Sequence, residues 1–353
     1  MKQPILFLLF LAFLGSCASG GGRHSGEEII FPEEIHLQAE VITLDTALFR
    51  YPYRISIVDD IAVVMDLHNA DHYLHAFSYP AWQHMASFGR RGEAPGEMLS
   101  AETIRFFSAD SLWCIDANKM EITRWRIDAA EGTALREEAI AIDKSLIRAL
   151  DFLPMETGFF IPDYTGEHRF HRIDRAGAHQ ASYGTIPAHD PYIDLARPAL
   201  AQGWRSFMGY HPQGLVIMAT QLGEVIEIYS DTGESRAVIK GRQGDPQIHI
   251  SEGRAIPQGI MGFSDLQVTD RHIYASFSGI TFDEKIAAYQ REEEPEKGCR
   301  LIYVFDLTGR PLRKYTLDHP IEGFHIDEAR GLLTATDVNS DDPIIQFHLP
   351  GVK

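Results

Sequence analysis

Aspartates recur at one position of an apolar strand pattern, where each ends or follows a predicted strand. They are Asp66, Asp116, Asp163 and Asp337. Carboxylate and amide oxygens are the ligands that calcium prefers, and Asn339 and Asp341 continue an alternating spacing after Asp337. However, Asp342 stands where a calcium loop has its sixth-position glycine, and His348 where it has a bidentate glutamate. The pattern favours aspartates that cap turns and keeps a calcium site as the alternative.

Arginines recur near the start of the segments that we predict to be the innermost strands. They are Arg54, Arg105, Arg148 and Arg205. A guanidinium group binds a carboxylate or phosphate through two parallel hydrogen bonds. Four such groups around one axis would form a cationic ring for an anionic ligand. Structural salt bridges are the more frequent use of such residues, so both interpretations stay open.

Long segments between the predicted strands carry further candidates, and we expect them on one face. They span residues 90–103, 185–204, 242–262 and 278–298. Loops of this length are usually functional or disordered. His189, Tyr192 and Trp204 combine aromatic and hydrogen-bonding groups suited to a ligand rim, although the prolines nearby also fit a loop that only packs on its neighbours. Residues 282–296 have helical spacing and predict a short solvated helix or lid.

The elements that must position these residues follow a repeat of about 45 residues. Each unit except the last contains four short strands rich in β-branched and aromatic residues. The units span residues 56–97, 104–142, 149–184, 205–241, 263–318 and 322–350. Turns such as Asp174–Gly177 and Asp306–Gly309 join third to fourth strands, with glycine supplying a positive φ. The pattern predicts an all-β fold, a β-propeller of four-stranded antiparallel blades.

The last unit reaches only its third strand, Ile344–Leu349. A strand candidate without a blade of its own, His36–Leu44, lies near the N-terminus. Pairing of these two segments would close the ring and remove its exposed edges. We therefore predict a six-bladed propeller over residues 35–353, with the last blade closed by the N-terminal strand.

The N-terminus has the layout of an export signal. Residues 1–16 carry one lysine, an apolar run and small residues, as a secretory signal peptide does. Leu14-Gly15-Ser16-Cys17 resembles the bacterial lipobox, in which the peptide is cut before the cysteine and the thiol is acylated. Residues 17–34 then form the lipidated Cys17 and a flexible tether. We expect the membrane to be contacted through this anchor only.

Charge and cysteine content narrow the possible functions. The formal net charge is −18 in 353 residues, which makes a nucleic-acid partner improbable because phosphates would be repelled. Cys114 and Cys299 lie in different predicted blades, and we expect both to be buried, unpaired thiols. The close histidine pairs, His68 with His72 and His168 with His171, are predicted to be surface residues.

The segment that leaves the first blade has the sequence FGRRGEAPGEM, at Phe88–Met98. Together with the lipobox and the six-blade count, it resembles the TolB-like, NHL-repeat-related six-bladed propeller lipoproteins of Bacteroidota. The resemblance implies a propeller in the cell envelope, and the Ala-Ser-Gly-Gly-Gly run after Cys17 favours a periplasm-facing anchor over surface display.

Two functions remain after these observations. The leading one is a monomeric, non-catalytic module without a cofactor that binds a small ligand, a glycan or an envelope protein. The alternative is a calcium-dependent hydrolase of the lactonase or arylesterase type, because such six-bladed enzymes place carboxylates around the channel to hold the metal. The four strand-end aspartates would then be ligands.

Overall fold

The computed structural model describes residues 26–44, 49–109, 111–147, 149–188, 196–251 and 254–351. Their strands form six radial sheets, as predicted. The N-terminal segment supplies β1 (Glu33–Leu37) and β2 (Ala39–Ile42). Blade 1 contains β3 (Pro52–Val58), β4 (Ile61–Asp66), β5 (His72–Ser78) and β6 (His84–Arg90). Blade 2 contains β7 (Ala101–Ser108), β8 (Ser111–Asp116), β9 (Glu121–Asp128) and β10 (Thr133–Ala141).

The remaining blades follow in chain order with three insertions. Blade 3 contains β11 (Leu153–Met155), β12 (Gly158–Pro162), β13 (Phe170–Asp174) and β14 (His179–Tyr183). Helix α1 (Arg197–Gly203) precedes blade 4, which contains β15 (Ser206–His211), β16 (Leu215–Thr220), β17 (Val225–Ser230) and β18 (Ser235–Lys240). A hairpin follows, β19 (Gln247–Ser251) and β20 (Arg254–Gln258). Blade 5 contains β21 (Phe263–Val268), β22 (His272–Phe277), helix α2 (Phe282–Gln290), β23 (Cys299–Asp306) and β24 (Pro311–Ile321), and blade 6 contains β25 (Phe324–Asp327), β26 (Leu332–Thr336) and β27 (Ile344–His348).

Burial along the strands explains the radial arrangement. Every residue of β4, β8 and β12 is buried, because neighbouring blades cover both faces of a second strand. The outer strand β10 instead alternates between exposed and half-buried residues over most of its length. Aromatic rings join the blades, and Phe88 of blade 1 lies 5.2 Å from Trp125 of blade 2 between ring centroids. The core is therefore a set of layers between blades, arranged around a central channel.

The ring closes as the sequence predicts. Strand β2 pairs antiparallel with β27, with Ala39 opposite Phe347 and Ile42 opposite Ile344. The same N-terminal segment also does something that was not predicted. Strand β1 pairs in parallel with β24, as a fifth strand of blade 5. One continuous segment therefore holds the last two blades together.

The two ends of the channel differ. We call the end with the turns between first and second strands, and between third and fourth strands, the turn face. The opposite end, where blades connect and second strands lead to third strands, is the loop face. It carries α1, the β19–β20 hairpin and α2.

Two local predictions can be compared with this arrangement. Helix α2 confirms a helix within residues 282–296, and Thr281 and Glu284 begin it with a reciprocal capping box. Gly177 and Gly309 adopt φ values of 80° and 89° in the predicted turns. Neither helix in the described part of the chain is long and apolar enough to cross a membrane.

Candidate functional site

The channel widens into a cavity of about 860 Å³ that opens on the turn face. We call this cavity the funnel. Most of its wall is formed by the innermost strands of the blades. Between blades 3 and 4, the wall also includes turns and residues of the third and fourth strands of these blades. Its aromatic and apolar lining includes Phe106, Phe107, Met155, Phe160, Phe207 and Tyr210. This cavity therefore lies opposite the face with the long loops, where the sequence predicted a ligand rim.

Arg54 lies at the deep end of the funnel but has no free donor group on either terminal nitrogen. Its Nη1 donates to the carbonyl oxygens of Tyr53 and Glu322, at 3.0 and 3.2 Å. Its Nη2 donates to the Tyr53 hydroxyl and the Ser264 carbonyl, both at 2.8 Å. Its Nε lies 3.8 Å from Asp265 Oδ1. Arg54 thus links blades 1, 5 and 6. This is a structural role, one of the two interpretations that the sequence left open for the arginines.

Arg105 differs from Arg54 because only part of its guanidinium is used. Its Nη2 donates to both carboxylate oxygens of Asp151, at 2.9 and 3.1 Å, and to the Met208 carbonyl at 2.7 Å. Its Nε is buried without a partner among the described residues. The side chain is 22% exposed and lines the funnel. Arg105 therefore brings unused donor capacity into the cavity.

His325 supplies a neutral donor to the same cavity. Its Nδ1 lies 3.4 Å from the Ile57 amide nitrogen and 3.5 Å from Gln267 Nε2. Burial lowers the pKa of His325 to about 4, so the ring is neutral at pH 7. Because Nδ1 accepts the Ile57 amide proton, the ring proton belongs on Nε2.

The mouth of the funnel is acidic. Glu156 and Asp231 lie in turns of blades 3 and 4, and both line the cavity beside Tyr210. Burial raises the pKa of Tyr210, and the charges of Asp231 and Glu156 raise it further while that of Arg172 lowers it. Arg172 donates to Thr157 Oγ1 at 2.9 Å. Two carboxylates therefore face one guanidinium at the mouth.

The strand-end aspartates occupy equivalent positions in four separate blades. Asp66 accepts the backbone amides of Arg50, Tyr51, His68 and Asn69, and Asp116 accepts those of Leu99, Ser100, Asn118 and Lys119. Each carboxylate thereby fastens a loop to the segment entering its own blade. Oxygens that a cation would need are engaged by N–H donors, so these aspartates do not fit a shared calcium site. Among the described residues, no three His, Cys, Asp or Glu side chains group as metal ligands.

Asp163 and Asp337 also accept backbone amides of the loop that follows them, and each contacts a histidine as well. Burial alone would raise the pKa of Asp163, but hydrogen bonds from His171 and from nearby amides hold that pKa well below its usual range. Asp337 accepts from the Asn339 amide at 2.9 Å and lies 3.2 Å from His319 Nδ1. These contacts are turn caps of the kind that sequence favoured.

Comparison with known proteins supports this architecture. A family model described as "TolB-like 6-blade propeller-like" matches residues 30–329. The chain belongs to the TolB-like six-bladed propeller family. No curated protein matches the sequence of this TolB-like propeller.

Solved structures resemble the TolB-like propeller in fold. A protein of Bacteroides vulgatus from the DUF4221 family has a TM-score of 0.56 at 9% identity, covering 89% of this chain and 95% of its own. A Bacteroides fragilis protein classed as exported has a TM-score of 0.52 at 12% identity, covering 89% and 98%. A streptogramin B lyase has a TM-score of 0.50 at 10% identity, also covering 89% and 98%. These identities show a common fold only.

A histidine and serine motif of this TolB-like propeller escaped the sequence interpretation. In blade 3, His171 Nδ1 and His179 Nε2 both contact Ser182 Oγ at 2.9 Å. In blade 1, His75 and His84 contact Ser87 Oγ in the same way, at 2.8 and 3.0 Å. The prediction of a surface position was wrong for His171, which is 5% exposed and contacts Asp163. The repeated spacing, His-x₇₋₈-His-x₂-Ser, is the signal that could have revealed it.

The other candidate residues that the structure describes lie outside the funnel. Trp204 is 1% exposed, and its carbonyl accepts from Arg169 at 3.1 Å. Arg205 is half-buried, with its guanidinium 5.9 Å from the Tyr164 ring centroid. Asn339 and Asp341 line a separate cavity of about 540 Å³ at the loop face. Cys17, Arg148, His189 and Tyr192 lie outside the described residues.

The remaining cysteines behave as the sequence predicts. Cys114 and Cys299 are both buried and neither forms a disulfide. Burial raises the pKa of both thiols. A buried thiol with a raised pKa is a poor nucleophile, so these residues belong to the core.

Proposed function

We propose that this TolB-like propeller is an exported, lipid-anchored binding module that takes a small ligand into the funnel. The volume of about 860 Å³ is the observation that carries the proposal, since ligand pockets generally measure about 300–1,000 Å³ with mostly apolar walls and few polar groups. The funnel has a volume in that range, and its lining combines aromatic and aliphatic side chains with a larger share of polar ones than usual. The protein acts as a monomer and needs no cofactor for this role.

The charges of the funnel support binding rather than catalysis. Asp151 accepts from Arg105 and from the amides of Phe152 and Met208. Asp265 accepts the amides of Leu266 and Phe324. A general base works best with a pKa near the working pH, whereas the pKa of His325 is about 4. These three titratable groups of the funnel are thus engaged or neutral.

A neutral fluorescent probe, N-phenyl-1-naphthylamine, tests the funnel as a binding site. We expect its emission to rise with saturation on the purified protein, because the apolar walls exclude water. Ser56 lines the funnel on β3, so Ser56→Trp should obstruct the cavity and weaken binding at least about tenfold. Ser235→Trp, at an exposed serine on the outer strand β18, is the matched control. Equal binding by both variants would exclude the funnel.

The anchor has its own test. Export is supported by the signal-like residues 1–16 and by the lipobox resemblance at Cys17, and a Bacteroides fragilis protein of the same fold is classed as exported. Cys17→Ala should move the protein from the membrane fraction to the soluble periplasmic fraction. Membrane retention of that variant would contradict lipidation.

A further inference from the structure

The funnel is polarised along its depth. At the deep end, Arg105 makes its described hydrogen bonds through Nη2 alone, and its Nη1 has no described partner. The deep end therefore offers a charged hydrogen-bond donor to an acceptor oxygen. Charge-assisted bonds of this kind are stronger than neutral ones.

Arg105 can bind a ligand without abandoning Asp151. The Asp151 carboxylate also accepts the amides of Phe152 and Met208, both at 2.8 Å. All the described bonds of Arg105 use Nη2, which leaves Nη1 for another acceptor. Arg54 offers no such capacity, since both of its terminal nitrogens are engaged.

The mouth has the opposite character. The carboxylates of Glu156 and Asp231 line the cavity, and no ion pair is described for either. Arg172 uses its Nη2 for Thr157 instead. A formal net charge of −18 over the chain strengthens the attraction of a cationic group to this end. Between the two ends, the wall is aromatic and aliphatic.

We propose that the funnel selects a zwitterion with an apolar body, an amino acid or short peptide that enters carboxylate first. The carboxylate binds Arg105, the apolar side chains contact Phe106 and Phe207, and the ammonium group lies near Glu156 and Asp231. This inference rests on the proposed function, because it requires the funnel to be a binding site. It adds the ligand's chemical class and its direction.

Three dipeptides test this assignment on the full-length protein. They are Leu-Phe, its C-terminal amide and its N-acetyl derivative, each titrated directly by calorimetry and by displacement of N-phenyl-1-naphthylamine. We expect Leu-Phe to bind at least about tenfold more tightly than either blocked form. Equal affinities for the free acid and the amide would overturn the role of Arg105, even if the naphthylamine binds. Failure of the naphthylamine and all three dipeptides to bind would instead overturn the proposed function.

Variants separate the two ends. Arg105→Met should abolish the preference for the free acid over the amide and leave affinity for the amide unchanged. Glu156→Gln combined with Asp231→Asn should abolish the preference for the free amine and keep the carboxylate preference. These two residues lie in turns, so the double variant remains informative if Arg105→Met fails to fold. Glu131→Gln, in a turn of blade 2 away from the funnel lining, is the matched control and should bind like the natural protein.

Discussion

A fully buried ion pair between blades 3 and 4 gives the sharpest stability prediction. Arg169 donates to Glu227 through Nε at 3.0 Å and through Nη2 at 2.7 Å. The two side chains are 2% and 0% exposed. Tyr229 also donates to Glu227, at 2.6 Å. Replacing Glu227 by Leu would leave the Arg169 charge buried without its carboxylate partner.

The magnitude follows from that burial. Removing one partner of a buried, hydrogen-bonded pair costs about 3–5 kcal/mol. An entropy of unfolding of about 2.1 cal/mol/K per residue, over roughly 300 folded residues, gives about 0.6 kcal/mol/K. The melting temperature of Glu227→Leu should therefore fall by about 5–8 °C, measured by calorimetry at pH 7.

The double variant Arg169→Met/Glu227→Leu is the control for this reasoning. Removing both charges eliminates the desolvation cost together with the attraction, so the double variant should recover most of the loss. A melting temperature for Glu227→Leu within about 1 °C of the natural protein would refute the argument. A double variant less stable than the single one would show that the Arg169 bonds to Trp204 and Ser206 matter more than the ion pair.

Three further measurements test other parts of the structure. Burial lowers the pKa of His75 and His325 to about 4, against about 6.5 in the unfolded chain. Acidification from pH 7 to pH 5 therefore protonates these histidines in the unfolded chain first, and it should lower the free energy of unfolding by about 2 kcal/mol per histidine. A melting temperature that does not change over this pH range would contradict this expectation. Deleting residues 35–45 removes β2 and three of the five residues of β1, which opens the ring and uncovers blade 5. The deletion should lower the melting temperature of the whole propeller in one transition, whereas an unchanged value would contradict closure by this segment. EDTA should leave the melting curve unchanged, and a large downward shift with one calcium retained beforehand would favour the hydrolase alternative.

Sequence specifies the blades because their strands obey local rules. Second strands such as β4 are continuous apolar runs, and turns with aspartate and glycine separate third from fourth strands. The closing strand was predictable because His36–Leu44 and Ile344–Leu349 each lacked a partner. Strand β1 was not, because it is separated from β2 only by Gln38, and sequence shows no change of pattern where the segment passes from blade 5 to blade 6.

The candidate site was predictable only in part, and the two funnel arginines show why. Arg54 and Arg105 occupy similar places in the repeat, yet one is fully engaged and the other has unused donors. The difference depends on Tyr53, Ser264 and Glu322, which meet Arg54 from three blades. Ser264 and Glu322 are distant from Arg54 in sequence, so single-strand patterns cannot identify them. Loop length was also misleading, since the funnel lies among short turns.

The position of the N-terminal segment relates the two faces to the proposed anchor. Gly26 lies so close to the backbone of Lys240 and Gly241 that a β-carbon there would meet their carbonyl oxygens. Strand β18 ends at Lys240, at the loop face, so the chain enters the propeller from that side. A tether from Cys17 would therefore hold the loop face toward the membrane. The funnel, which opens on the turn face, would then point into the periplasm, where a soluble ligand reaches it directly.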